Sequence, residues 1–410
     1  VRIQKHVNTV LISVFALFMV FAVTSGPLSA QTTHTVLAED GTATWCYYCQ
    51  FAAGALKEID EDGLYDFYYV SHVDDMNVHS AQRLNPGEYN IYGFPTVYFD
   101  GGYIVEVGAG SIPSAKAAYI ADINACGSRA VPDIEATLDV VWTGDAVMDI
   151  SISVQNNEAT TYDGHLRVFV SEIISSLGWY DYAGHLYHYP FLDYAFNEDI
   201  SIPAGDVWSS STSWVGTAHN DGHGHNFGGI TVDNVIVTAA VYNAEWHQGY
   251  SYPPRTNPFD AYYVDEVVGD VPDQVVDDVD PEFVQISGTW NSINHANAND
   301  GSTSYANPGT GENKAGWRVD EFIYPGTYEV YTWKFEHPYL DLMATNAPFR
   351  VKDKNGMSSW VYVDQSTVGN EWVYLGTYEF DNSSMQGVMV TNDADGFVSA
   401  DAVKLNYVGK

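Results

Sequence analysis

Two cysteines three positions apart, Cys46 and Cys49, enclose Tyr47 and Tyr48 in a chain of 410 residues that has one further cysteine, Cys126. Thiols at this spacing close a small ring on oxidation. A helix starting at the first of them lowers that thiol's pKa, because backbone N–H groups and the positive end of the helix dipole face the thiolate. A helical stripe does follow: Phe51, Ala52, Ala55, Leu56 and Ile59 share a face before Asp60-Glu61-Asp62-Gly63 breaks the pattern. The pattern predicts Cys46 at the helix start as attacking thiol, with Cys49 one turn inside as resolving thiol. Three cysteines exclude a disulfide-dense scaffold, and a zinc reading needs a second ligand pair that the sequence lacks. A bridge that only staples the segment is the competing reading of the same residues.

Around the pair, residues 31–130 alternate strand and helix signals as an α/β domain does: a strand over 34–39, a β-rich run over 64–73, a hairpin through 96–107 turning at Asp100-Gly101-Gly102, and a helix over 114–125. From 131 the texture changes to short alternating strands, such as 134–140 and 148–154, separated by Gly- and Asn-containing turns. This pattern predicts an immunoglobulin-like β-sandwich over 131–264. Further core strands are expected over 165–174 and 232–242, with the long aromatic and His-containing stretch between them as surface loop. The stretch 265–282, acidic and carrying Pro272 and Pro281, reads as a linker, and 283–410 is again all-β with Gly-rich turns.

Acidic residues number 53 against 16 basic ones, a formal charge of -37, which excludes electrostatic attachment to nucleic acid or anionic lipid. Residues 1–30 have the order of a signal peptide: Arg2 and Lys5, an apolar run from Val10 to Val23, then Gly26-Pro27 and Ser29-Ala30. Cleavage is expected after Ala30, and no later segment is apolar enough to span a bilayer. The expected location is secreted, periplasmic or cell-surface, with no membrane partner after cleavage.

Thr44-Trp45-Cys46-Tyr47-Tyr48-Cys49, the preceding Val36-Leu37-Ala38-Glu39-Asp40 and the later Gly93-Phe94-Pro95-Thr96-Val97-Tyr98-Phe99-Asp100 closely resemble the thioredoxin superfamily. The resemblance implies a thioredoxin-like α/β domain, a cis Pro95 shaping a peptide groove, and substrate contact through Trp45 and Phe94. It also implies Asp40 as proton relay to Cys49, and protein thiols or disulfides as partners. No organic cofactor is implied beyond the redox-active disulfide. Tyr47-Tyr48 departs from the dipeptides of that family and leaves the redox potential open.

Residues Tyr324-Pro325-Gly326-Thr327-Tyr328 and Asp393-Ala394-Asp395-Gly396-Phe397 resemble golvesin C-terminal-like domains, which look like jelly rolls. That resemblance implies attachment to a glycan or cell surface. Trp333, Trp360 and Trp372 either stack on sugar rings or fill a core. His219, His223 and His225, with His185 and His188 nearby in sequence, are candidate Zn or Cu ligands, against a reading as polar loop histidines.

The fold class expected is therefore multidomain: a thioredoxin-like α/β domain followed by two all-β domains, a sandwich and a jelly roll. The expected function is exported thiol–disulfide exchange. A non-enzymatic surface-binding protein with a structural Cys46–Cys49 bridge is the alternative.

Overall fold

Val36–Thr42 (β1) begins with three apolar residues and ends Glu39-Asp40-Gly41-Thr42, yet every one of its seven residues is buried. A strand can bury both faces only when layers cover both, because successive side chains point opposite ways. The computed structural model, which describes residues 33–319, 324–381, 383 and 385–409, shows what those layers are. The leader expected over 1–30 lies outside the described residues.

After β1 come Cys49–Asp62 (α1), Phe67–Val73 (β2), Val78–Leu84 (α2), Thr96–Phe99 (β3), Ile104–Val107 (β4) and Ile112–Gly127 (α3). The sheet order is β2-β1-β3-β4, with β2 parallel to β1, and with β3 antiparallel to β1 and β4 to β3. The apolar stripe of α1 is buried at Ala52, Ala55, Leu56 and Ile59, and the helix stops at Gly63 in the left-handed region (φ 58°). That helix packs beside α3, whose Tyr119 and Ile123 join the same core.

The next seven strands are Ile134–Gly144 (β5), Val147–Asn156 (β6), Tyr162–Glu172 (β7), Phe191–Ile202 (β8), Val207–Val215 (β9), Val235–Tyr252 (β10) and Thr256–Asp270 (β11). They make two sheets, β5-β6-β9 and β11-β10-β7-β8. Burial alternates along β5, so its inner residues Ile134, Leu138 and Val140 close one core with Leu166, Val168, Val237 and Val241. The other face of β7 and β10 is also buried: Phe169, Ile236, Ala240 and Tyr242 belong to the cluster that contains Val36, Leu37 and Phe67. His72 of β2 makes the junction visible, its ring lying 5.1 Å from that of Phe191 and 6.2 Å from that of Phe169.

The remaining strands are short. A four-stranded sheet joins Gln274–Val276, Val403–Gly409, Gly326–Lys334 and Glu371–Phe380, beside sheets built around Lys314–Arg318 with Gly387–Thr391 and around Ser302–Ala306 with Val398–Ala400. Tyr324, Tyr328 and Tyr407 extend the first cluster into this region, and the hydroxyls of Tyr68 and Tyr407 lie 3.3 Å apart.

These layers correct the expected fold class. Strands take up 50% of the described residues and helices 14%, and the described residues from 33 onward form one compact unit with a cluster running from Val36 to Tyr407. A thioredoxin-like α/β domain followed by two all-β domains does not describe it; the protein is mostly β, in several sheets. The stretch 265–282, expected as an acidic linker, holds the end of β11 and the strand Gln274–Val276, with Asp265, Asp277 and Asp278 buried.

At the junction, the Glu39 carboxylate accepts from Arg83 Nε (2.8 Å) and Nη2 (2.7 Å), from Tyr242 (2.8 Å) and from Tyr89, with His72 Nε2 at 3.0 Å. Burial alone would push Glu39 up, but the Arg83 guanidinium and the His72 hydrogen bond hold it well below the usual carboxylate range. Arg83 stacks 3.9 Å above the Tyr89 ring and also donates to Glu88, which Arg167 of β7 grips with Nη2 at 3.0 and 3.1 Å. Removing one member of a buried ion pair strands the other. Glu39→Gln is therefore expected to cost roughly 3–5 kcal/mol in urea unfolding, much of it recovered when Arg83→Met is added. A single variant as stable as the parent would contradict this account of the junction.

Candidate functional site

The segment from β1 to α1 is tied down before the cysteines begin. Thr44 donates its backbone N–H to Asp75 (2.9 Å) and its hydroxyl to the same carboxylate, and Cys46 N–H reaches Ala43 O at 3.1 Å. Cys46 and Cys49 form a disulfide with Cα atoms 5.4 Å apart. The helix opens at Cys49 with Tyr48 as its cap residue, so Cys46 lies in the preceding turn and Cys49 takes the helix N-terminus. This is one turn different from expectation. The ring itself sets the geometry, since Cys49 N–H bonds Cys46 O at 3.2 Å. Cys46 keeps 5% of its surface and Cys49 none.

Phe94 packs against Ala43 and both cysteines, the Phe94–Pro95 peptide is cis, and the Trp45 ring meets Phe94 edge-on at 5.7 Å while remaining 62% exposed. The Gly93-Phe94-Pro95 segment is thus brought to the cysteine pair from 45 residues away in sequence.

Asp40 is fully buried and neither carboxylate oxygen has a hydrogen-bond partner. Burial pushes its pKa up to about 8. Glu39, the preceding residue and so on the opposite face of the strand, bonds Arg83 and Tyr242. Both are inside because each face of β1 has its own cover.

The candidate metal residues do not converge. His219 Nδ1 bonds Asp193 at 2.7 Å and stacks on Trp214 at 4.6 Å, His225 Nδ1 bonds Asp221 at 2.9 Å, and His223 offers that carboxylate its backbone N–H. Among the described residues no group of three or more His, Cys, Asp or Glu is arranged to hold a metal ion. A local motif explains these loops: Asp181 and Asp221 each accept the N–H groups two and four residues on and the imidazole of the second, with Gly184 and Gly224 at φ 88° and 107°. The recurring Asp-x-x-Gly-His spacing was the signal available in the sequence.

Sequence reasoning also missed Tyr187 and Tyr182. The Tyr187 hydroxyl lies 3.0 Å from Thr42 Oγ1 and 3.2 Å from Ala43 O, and the Tyr182 ring meets Tyr47 at 5.2 Å. Cys126 is buried and unbridged, its thiol pushed up first by burial. In the C-terminal region Trp333 donates to Asn297 O (3.0 Å) and packs edge-on to Trp372, while Trp360 is partly exposed under Arg350.

Residues 274–407 match the Golvesin C-terminal domain family. The match begins earlier than the expected 283 and takes in the strand Gln274–Val276, which pairs with Val403–Gly409. A stretch of 152 residues, 36% of this chain, is 31% identical to a xanthan lyase of Bacillus sp. (strain GL1) and covers 16% of that enzyme's length. Among solved structures, a Paenibacillus xanthan lyase aligns at TM-score 0.32 and 20% identity, over 68% of this chain and 26% of the other. HBP35 of Porphyromonas gingivalis aligns at TM-score 0.42 and 12% identity, over 90% and 98%. Residues 274–407 are thus a golvesin C-terminal domain within a mostly β, many-sheeted architecture.

Proposed function

We propose that this chain is an exported, carbohydrate-associated protein that performs thiol–disulfide exchange at Cys46–Cys49. The observation that carries the exchange reading is a disulfide at the surface end of β1 with an unpaired, buried carboxylate, Asp40, on the strand leading to it. The reading rests on these residues and on no fold class.

In the reducing direction the Cys46 thiolate attacks a partner disulfide, forming a mixed disulfide and releasing one partner thiolate. The Cys49 thiolate then attacks Cys46 sulfur, which re-forms the internal bridge and releases the second partner thiolate. Two electrons pass to the partner; oxidation of a dithiol runs the same steps backward. With a pKa near neutrality, Asp40 holds a proton it can exchange with Cys49. Phe94 and Trp45 border the reacting sulfur, and Pro95 shapes the edge beside them. The partners are protein thiols or disulfides, and no organic cofactor takes part.

The carbohydrate association is supported by the golvesin C-terminal domain and by the partial likeness to xanthan lyases. Trp360 and the more exposed Tyr362, two residues apart next to and on a short strand, offer ring surface for a sugar there. An export location suits a bridged pair. No helix among the described residues is long and apolar enough to cross a membrane. The near burial of Cys46 favours a second reading, in which the bridge is structural and the chain only binds a surface.

Cys46→Ser is expected to abolish reduction of a model protein disulfide. Asp40→Asn should slow resolution of a trapped mixed disulfide by roughly ten- to a thousandfold while leaving the first attack much less affected. Unchanged resolution would defeat the relay role. Stability gives a second test. Because the folded pKa of Asp40, about 8, lies above the ordinary 3.8, folding favours the protonated acid. Its contribution is complete below about pH 4 and is lost as pH rises toward 8. Asp40→Asn, which cannot ionise, should therefore gain on the parent across that window in urea unfolding. A constant difference between the two proteins would contradict the burial argument.

A further inference from the structure

Exposed aromatic side chains gather beside the disulfide, and they come from separate parts of the chain. Trp45, Tyr47 and Tyr48 lie on the cysteine turn itself, all more than half exposed. Tyr182, 56% exposed, comes from the stretch between β7 and β8, and its ring meets Tyr47 edge-on. That stretch is no free loop. Tyr180 bridges Leu186, Asp181 closes the tip, and Trp179 and Tyr187 are buried at the root. Tyr187 is fixed to Thr42 and Ala43; Ser71 of β2 bonds Tyr189 O and His188 O, both at 2.8 Å; and the Tyr189 hydroxyl bonds Asp60 of α1 at 2.7 Å. The sandwich therefore holds Tyr182 at a set place over the cysteine turn.

We propose that Tyr182, with Tyr47, forms one wall of a docking surface for an extended polypeptide that carries a disulfide. This deepens, and rests on, the exchange reading above. The occupant follows from three observations. Only 5% of Cys46 is exposed, so a partner sulfur must arrive on a slender, unfolded segment and not on a folded surface. The walls are aromatic rings, which hold apolar and aromatic side chains next to the partner cysteine. Acidic groups surround the turn, with Asp75, after β2, accepting from Thr44, Asp181 at the hairpin tip and Asp60 of α1 bonded to Tyr189, in a chain of charge -37, so the segment is neutral or basic. Tyr182 is a positioning and specificity residue and takes no part in bond making.

The test uses the full chain and two substrates: a disulfide-linked peptide with aromatic residues beside its cystine, and the small pair dithiothreitol and oxidised glutathione. Tyr182→Ala should lower kcat/KM for the peptide by roughly five- to thirtyfold, chiefly through KM, as loss of an aromatic contact does. Exchange with the small pair should be unchanged, and Tyr182→Phe should behave as the parent because the ring and not the hydroxyl makes the wall. An unchanged peptide rate in Tyr182→Ala, or equal losses with both substrates, overturns the proposal. Binding of a labelled, cysteine-free analogue of the peptide is read in parallel by anisotropy. If the parent protein fails to exchange even with dithiothreitol, the exchange reading falls, and this binding decides the surface alone. Saturable binding weakened by Tyr182→Ala upholds it, whereas no binding, binding indifferent to Tyr182, or saturation by xanthan oligosaccharides in its place overturns it.

Discussion

The ionised Glu39 carboxylate is the constraint from which the rest of the architecture follows. A charge in the middle of a buried strand survives only if the surroundings supply donors, and here α2, β2, the Tyr89 turn and β10 each send one or more. Those donors come from elements that would otherwise belong to separate layers. Satisfying Glu39 thereby fixes the first sheet onto the sandwich, and Glu88 passes the connection on to Arg167 of β7. With that face committed, the helices α1 and α3 cover the other, and β1 has no solvent face left.

Asp40 is the counterpart. It lies one residue along the same strand, on the opposite face, and receives no donor at all. Two adjacent carboxylates in equally deep positions thus differ by their partners alone. One is held ionised by a guanidinium and three further groups, and the other is pushed toward its neutral form by lost hydration. An unpaired buried acid is costly, and a protein that only needed to fill this position would be more stable with an apolar residue. Its retention next to the strand end that carries the cysteine turn is what gives the site a chemical reading.

Much of this was legible in the sequence because it is local. The cysteine spacing, the apolar stripe of α1, the turn at Asp100-Gly101-Gly102 and the strict alternation along β5 each announce their element within a dozen residues. The C-terminal motifs around Tyr324 and Asp393 identified their region in the same way. The fold class was misread because nothing local says what covers a sheet's second face. Glu39 and Tyr242 are 203 positions apart, and Tyr182 reaches Tyr47 from far along the chain as well. The acidic run at 265–282 looked like solvent-exposed linker, but Asp265 is buried against Arg129, Tyr162 and Asn243, partners that no window of sequence would reveal. The histidine cluster misled for the opposite reason. Its residues are close in sequence, yet the His219 and His225 rings bond different carboxylates, Asp193 and Asp221, and His223 gives Asp221 only its backbone N–H.

The central claim is that the Cys46–Cys49 bridge is made to open and close. Its reduction potential, obtained by equilibrating the full chain with defined ratios of reduced and oxidised thiol and quantifying the free cysteines, tests this most directly. A working exchange pair is predicted to lie between about -270 and -120 mV. A potential below about -300 mV, where bridges resist the cellular thiol pools, would mark it as a structural staple and contradict the account.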